Sequence, residues 1–70
     1  MRVSFIGTGG IARRHAEGLV KMSDITVAGA CDVVPERAEA FCGQFGGQPY
    51  TDLAQLLDES RPDALWICLP

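Results

Sequence analysis

The chain has 70 residues, 47% hydrophobic and 21% charged, with a net charge of −3. That length supports one small domain or part of a larger one, and a chain of this size buries only about 60% of the surface it exposes when unfolded. The composition excludes disorder, which needs low hydrophobicity with high net charge. Beyond Arg13-Arg14 there is no basic cluster to serve as a nucleic-acid footprint, and no apolar run approaches the roughly 20 residues that span a bilayer.

Arg2 to Ile6 reads as a first strand, and Gly7-Thr8-Gly9-Gly10-Ile11-Ala12 follows it. This is the G-x-G-x-x-A form of the dinucleotide-binding turn. Gly7 lets the chain turn sharply at a strand end. Gly9 offers bare backbone to a pyrophosphate, and Ala12 is small enough for a new helix to pack tightly on the sheet. The free N–H groups of the helix start then face the phosphates. That helix is predicted over Gly10 to Met22, with Ala12, Ala16, Leu19 and Val20 as its core stripe. Arg13 and Arg14 lie in its first turn and read as solvated charges, with a phosphate or substrate contact as the alternative. His15 is the single histidine. No acid, base or nucleophile is spaced to work with it, so it reads as a packing or hydrogen-bonding residue.

After the polar break Ser23-Asp24, Ile25 to Cys31 is an apolar strand of the kind covered on both faces in a parallel sheet. It ends in Asp32, twenty residues after Ala12, where this fold expects an acid for the adenosine ribose. Such a carboxylate accepts hydrogen bonds from the 2′- and 3′-hydroxyls and repels a 2′-phosphate. NAD is therefore the expected cofactor, with NADP open. The competing reading of Asp32 is a helix N-cap or a solvated turn acid. Val33 adjoins it at the strand end. Arg37 lies five residues past Asp32 and either stacks on adenine or reaches a 2′-phosphate, or is a solvated helix arginine.

Pro35 opens a second helix, where its missing N–H costs nothing. Ala38, Phe41, Cys42 and Phe45 form its buried face, and Gly46-Gly47 ends it. Gln48-Pro49-Tyr50 is a candidate third strand. Thr51 is the expected N-cap of a third helix carrying Leu53, Leu56 and Leu57. Ser60 to Asp63 form a turn before the apolar strand Ala64 to Leu69, and Pro70 ends the chain. Phe5 and Trp66 read as core residues. Cys31, Cys42 and Cys68 have no metal-ligand spacing and lie in apolar patterns, which reads as buried, reduced thiols in a cytoplasmic protein. The N-terminus carries no signal-peptide pattern.

The fold class is therefore α/β: a Rossmann-type doubly wound parallel sheet in the order β-α-β-α-β-α-β, with right-handed crossovers. In the strand order 3-2-1-4 the last strand lies beside the first, so Leu69-Pro70 borders the same crevice as the Gly7 turn. An apolar central strand with no further neighbour is an exposed edge. Residues 1–70 are thus expected to be the N-terminal part of a dinucleotide-binding domain, with the rest of that domain and a substrate domain outside this chain.

Taken in order, these segments resemble the N-terminal Rossmann half of the Gfo/Idh/MocA oxidoreductases. The resemblance runs through Val3 to Ile6, Gly7 to Ala12, His15, Cys31-Asp32, Pro35 to Phe41, Tyr50-Thr51-Asp52-Leu53, Leu56-Leu57 and Pro62-Asp63-Ala64. The family's last strand often ends in Ala-Thr-Pro, and here it reads Cys68-Leu69-Pro70. The resemblance implies a nicotinamide cofactor and hydride transfer at a carbinol of a sugar or polyol. The candidate cofactor-binding set is Gly7, Thr8, Gly9, Gly10, Ile11, Ala12, Asp32, Val33, Arg37, Leu69 and Pro70. The resemblance puts the catalytic lysine and histidine beyond Pro70, so no catalytic residue is assigned, and the full-length protein is expected to be a homo-oligomer. The alternative is a non-catalytic nucleotide-binding or redox-sensing Rossmann module. A transferase using S-adenosylmethionine usually carries a different glycine spacing.

Overall fold

Alternating apolar runs and helix-period segments fold into seven elements: β1 (Arg2–Ile6), α1 (Gly10–Leu19), β2 (Thr26–Cys31), α2 (Pro35–Phe45), β3 (Gln48–Tyr50), α3 (Leu53–Ser60) and β4 (Ala64–Ile67). They are seen in a computed structural model that describes residues 1–69; Pro70 lies outside the described residues. The four strands form one sheet in the order β3-β2-β1-β4, and every pairing is parallel. The expected topology is therefore present. Ile6 stands between Cys31 of β2 and Ile67 of β4, so three strands end level at one edge of the sheet.

The main core lies between the sheet and the first two helices. Val3, Phe5, Ala12, Ala16, Val27, Ala30, Phe41 and Cys42 form one buried cluster. Strict alternation would put Val27 and Ala30 on opposite faces. They share a face because the register between β1 and β2 shifts after Val3, leaving Ala28 unmatched between the pairs Val3–Val27 and Ser4–Gly29. This irregularity lets Val3, Phe5, Val27 and Ala30 join one cluster. Aromatic rings extend it: Phe41 lies 5.0 Å from Phe5 and 4.8 Å from Phe45, centroid to centroid. The tilted geometry is the one that ring quadrupoles favour. The opposite face holds a smaller cluster of Cys31, Tyr50 and Leu56, to which α3 contributes Leu56.

A polar clamp ties α3 to β1. Ser4 and Ser60 are both buried, and their hydroxyls lie 2.8 Å apart. The Ser60 hydroxyl donates at 2.6 Å to the Leu56 carbonyl, which leaves Ser4 as the donor between the two serines. The Arg2 guanidinium donates from Nε and Nη2 to the Ser60 carbonyl at 3.1 and 2.7 Å. A cation thus meets the negative end of the helix.

Several boundaries differ from the sequence reading. α1 stops at Leu19, and Val20 is its exposed C-cap rather than a core residue. The amides of Met22 and Ile25 bond to Leu19 and Met22 carbonyls in the turn that leads into β2, so the chain leaves the helix before Met22. β2 begins at Thr26, not Ile25, and β4 closes at Ile67, not Leu69. The N-cap of α3 is Asp52, not Thr51: Asp52 Oδ1 accepts from the Ala54 and Gln55 amides at 2.8 and 3.3 Å. Leu56 is fully buried, but Leu53 and Leu57 remain exposed. Phe45, Trp66 and Cys68 are half-buried and pack against the main cluster. No helix among the described residues is long and apolar enough to cross a membrane.

Candidate functional site

The level ends of β2, β1 and β4 create the site. Gly7 leaves β1 with φ +91°, a conformation that favours glycine. Its amide donates to the Cys31 carbonyl at 2.8 Å. A Cβ at Gly7 would stand 2.6 Å from the Cys68 carbonyl oxygen. The turn is therefore held between β2 on one side and the chain leaving β4 on the other. The Cys68 amide continues the ladder by donating to the Ile6 carbonyl at 2.8 Å.

Gly9 is the N-cap of α1 and brings no side-chain cap, and the first turn holds no acid. The first amides of this helix thus remain available to an external anion. Cβ atoms at Gly9 and Gly10 would meet nothing within 4 Å, so the approach to this backbone is open. Ala12 is fully buried beneath it, within the main core.

Across the turn stands Asp32. Its Oδ2 accepts from the Thr8 hydroxyl at 2.7 Å and the Thr8 amide at 3.1 Å. Its Oδ1 accepts from the Val34 amide at 2.9 Å. Burial pushes the Asp32 carboxyl up. The Val34 amide, the Thr8 hydroxyl and amide, and the Arg37 charge outweigh that and hold it below its ordinary value. Asp32 is therefore an anion at neutral pH. It is not the N-cap of α2, a position taken by Val34.

A crevice of about 420 Å³ joins these groups, lined by Ile6 to Ile11, Cys31, Asp32, Val33, Arg37, Cys68 and Leu69. Of the residues singled out from sequence, Gly7, Thr8, Gly9, Gly10, Ile11, Asp32, Val33, Arg37 and Leu69 come together here. Ala12 supports the floor without lining it, and Pro70 lies outside the described residues. Sequence reasoning missed Ile6, Cys31 and Cys68, although the alignment of three parallel strand ends would have pointed to them.

The remaining candidates point elsewhere. Arg13 Nη1 donates to Gln44 Oε1 at 2.7 Å, which turns it onto α2. The exposed His15 sets its ring 5.8 Å from Trp66, a packing role. Burial pushes up the thiols of Cys31 and Cys68, and the Asp32 and Asp52 charges add to the effect at Cys31. Neither is a ready thiolate nucleophile.

A bare helix start and an anionic carboxylate lining one crevice suit the pyrophosphate and the adenosine ribose of a dinucleotide. Comparison with known proteins bears on the fold and the family. Residues 1–70 match the family described as Gfo/Idh/MocA, oxidoreductase family, NAD-binding Rossmann fold. The chain belongs to the Gfo/Idh/MocA oxidoreductase family. Over 60 residues it is 36% identical to glucose-6-phosphate 3-dehydrogenase of Bacillus subtilis (strain 168), covering 86% of this chain and 17% of that enzyme. It is similar in structure to a 3-ketoreductase from Actinomadura kijaniata in complex with NADP and TDP-benzene: TM-score 0.90, 31% identity, 100% of this chain and 22% of that one. It also resembles myo-inositol dehydrogenase from Lactobacillus casei in complex with NAD(H) and myo-inositol: TM-score 0.86, 30% identity, 97% of this chain and 21% of that one. The chain spans about a fifth of the length of these relatives. Residues 1–70 carry the NAD-binding Rossmann fold of that family.

Proposed function

We propose that the intact protein is an NAD(P)-dependent dehydrogenase that transfers a hydride between a nicotinamide and a carbinol carbon of a sugar or polyol. Residues 1–70 are the N-terminal part of its dinucleotide-binding domain. When bound, the nicotinamide supplies the carbon that takes or gives the hydride. The residues of this chain hold the other half of the molecule. The backbone from Gly7 to Ala12 receives the pyrophosphate, Asp32 the adenosine ribose, Val33 and Arg37 flank the adenine side, and Leu69 borders the crevice toward the nicotinamide.

The observation that carries this reading is that the ionised Asp32 and the uncapped start of α1 line one crevice. The charge of Asp32 favours NAD over NADP, because a 2′-phosphate beside it would place like charges together. A sugar or polyol is supported by the substrates named for the relatives above. A titration of the intact protein with NADH and NADPH, followed by Trp66 fluorescence or calorimetry, tests it. Saturable binding with NADH tighter is expected; no binding of either at millimolar concentration overturns it.

Three free cysteines support a reducing, cytoplasmic setting. The net negative charge supports neither a nucleic-acid nor an anionic-membrane partner. A homo-oligomer is proposed for the intact protein, and light scattering measures it.

A further inference from the structure

An ionised carboxylate offers about four acceptor positions. At Asp32 three of them are filled by the protein. Two lie on Oδ2, taken by the hydroxyl and amide of Thr8, and one on Oδ1, taken by the Val34 amide. The remaining position is on Oδ1. Two of the three donors are backbone amides, which any residue except proline would supply. The third, the Thr8 hydroxyl, is the one side-chain donor to this carboxylate among the described residues. Thr8 is only 2% exposed, so water does not compete for its hydroxyl, and at 2.7 Å its bond to Asp32 is the shortest of the three. Bonds to a charged acceptor are about twice as strong as neutral ones.

We infer that Thr8 is a specificity-determining positioning residue: its hydroxyl pins Oδ2 of Asp32, presents Oδ1 to the adenosine ribose, and so sets the preference for NADH over NADPH. This rests on the dinucleotide reading of the crevice. Without the hydroxyl, the side chain turns more freely about its Cα–Cβ and Cβ–Cγ bonds and the ionised carboxylate loses a donor. Both changes weaken the bond to a ribose hydroxyl. Both also lower the cost of a 2′-phosphate beside Asp32, because the negative charge can swing away toward solvent. The exposed Arg37 guanidinium, on the same rim, is then the dominant charge that a 2′-phosphate meets.

The test compares dissociation constants for NADH and NADPH in the intact wild-type protein and in Thr8→Ser, Thr8→Ala and Thr8→Val. The ratio of the two constants cancels a general loss of folded protein, which a purely structural role would produce. Thr8→Val keeps the side-chain volume and serves if Thr8→Ala unfolds. Loss of a hydrogen bond to a charged group predicts that the preference for NADH narrows by about tenfold in both hydroxyl-free variants. Thr8→Ser, which keeps the hydroxyl, retains the wild-type ratio. Adding Thr8→Ala to Asp32→Asn produces no further narrowing, since the group being positioned is already gone. An unchanged or widened ratio in Thr8→Ala and Thr8→Val overturns the inference, as does a narrowed ratio in Thr8→Ser. Binding of neither dinucleotide by the wild-type protein overturns the dinucleotide reading as well, so the two failures are distinct.

Discussion

At Gly7 a single added carbon would meet two obstacles. The backbone sits at φ +91°, and the Cys68 carbonyl oxygen would be 2.6 Å away. Gly7→Ala is expected to cost about 2 kcal/mol of stability in urea unfolding, and more if β4 must shift, together with loss of NADH binding. Asp32 makes a different prediction. Its carboxyl is held below the ordinary value by the Val34 and Thr8 donors despite burial. The ionised form therefore stabilises the fold fully above the ordinary carboxyl range, and this contribution is lost as pH falls through the depressed value. Asp32→Asn has no such titration, so its stability falls less steeply on the acid side, as denaturant midpoints measured from neutral pH downward will show. Gly7 and Asp32 were both legible in the sequence because the motif assigns each a physical job. Thr8 was legible as part of the cofactor-binding turn, but its partner was not. Its bond to Asp32 spans 24 residues and appears only once β1 and β2 are aligned.

At the scale of elements, the joint between α3 and β1 depends on a pair of buried hydroxyls. Ser60→Ala leaves the Ser4 hydroxyl without its partner and is expected to cost about 1–3 kcal/mol. The double variant Ser4→Ala with Ser60→Ala removes the stranded donor and recovers part of that loss, a result that thermal or urea unfolding of the three proteins will show. The strand and helix assignments themselves were legible, since β1 matched its apolar run, and Pro35 and Gly46-Gly47 bracket α2. Boundaries decided by competition were not. Thr51 and Asp52 are adjacent and both suit a cap, and the choice fell to Asp52, whose Oδ1 reaches two amides. Val20 fitted a helical stripe, but the chain had to turn there to enter β2. Ser4 sat in the apolar run from Val3 to Ile6, and nothing local announced that a second serine would meet it from α3.

At the scale of the molecule, α1 and α2 supply the core on one face of the sheet while α3 packs Leu56 on the other. This arrangement brings the turn after β1 and the end of β2 to one crevice. The topology followed from the glycine turn, the acid after the second strand and the returning apolar strand, three signals that only a doubly wound order satisfies together. The unmatched Ala28 was not legible, because strand periodicity cannot reveal which residue a neighbouring strand will skip. The contact between Gly7 and the Cys68 carbonyl has a kinetic side. β4 joins β1 across about 60 residues of intervening chain, with Val3 opposite Ala64, and such distant pairings form late because loop closure must come first. During synthesis or refolding, the β1–β2 half can assemble while the wall beside Gly7 is still missing. Affinity for nucleotide is therefore expected to arise only with the docking of β4, and NADH added to the intact protein is expected to slow the exchange of the Cys68 amide hydrogen, as hydrogen-exchange measurements with and without it will show.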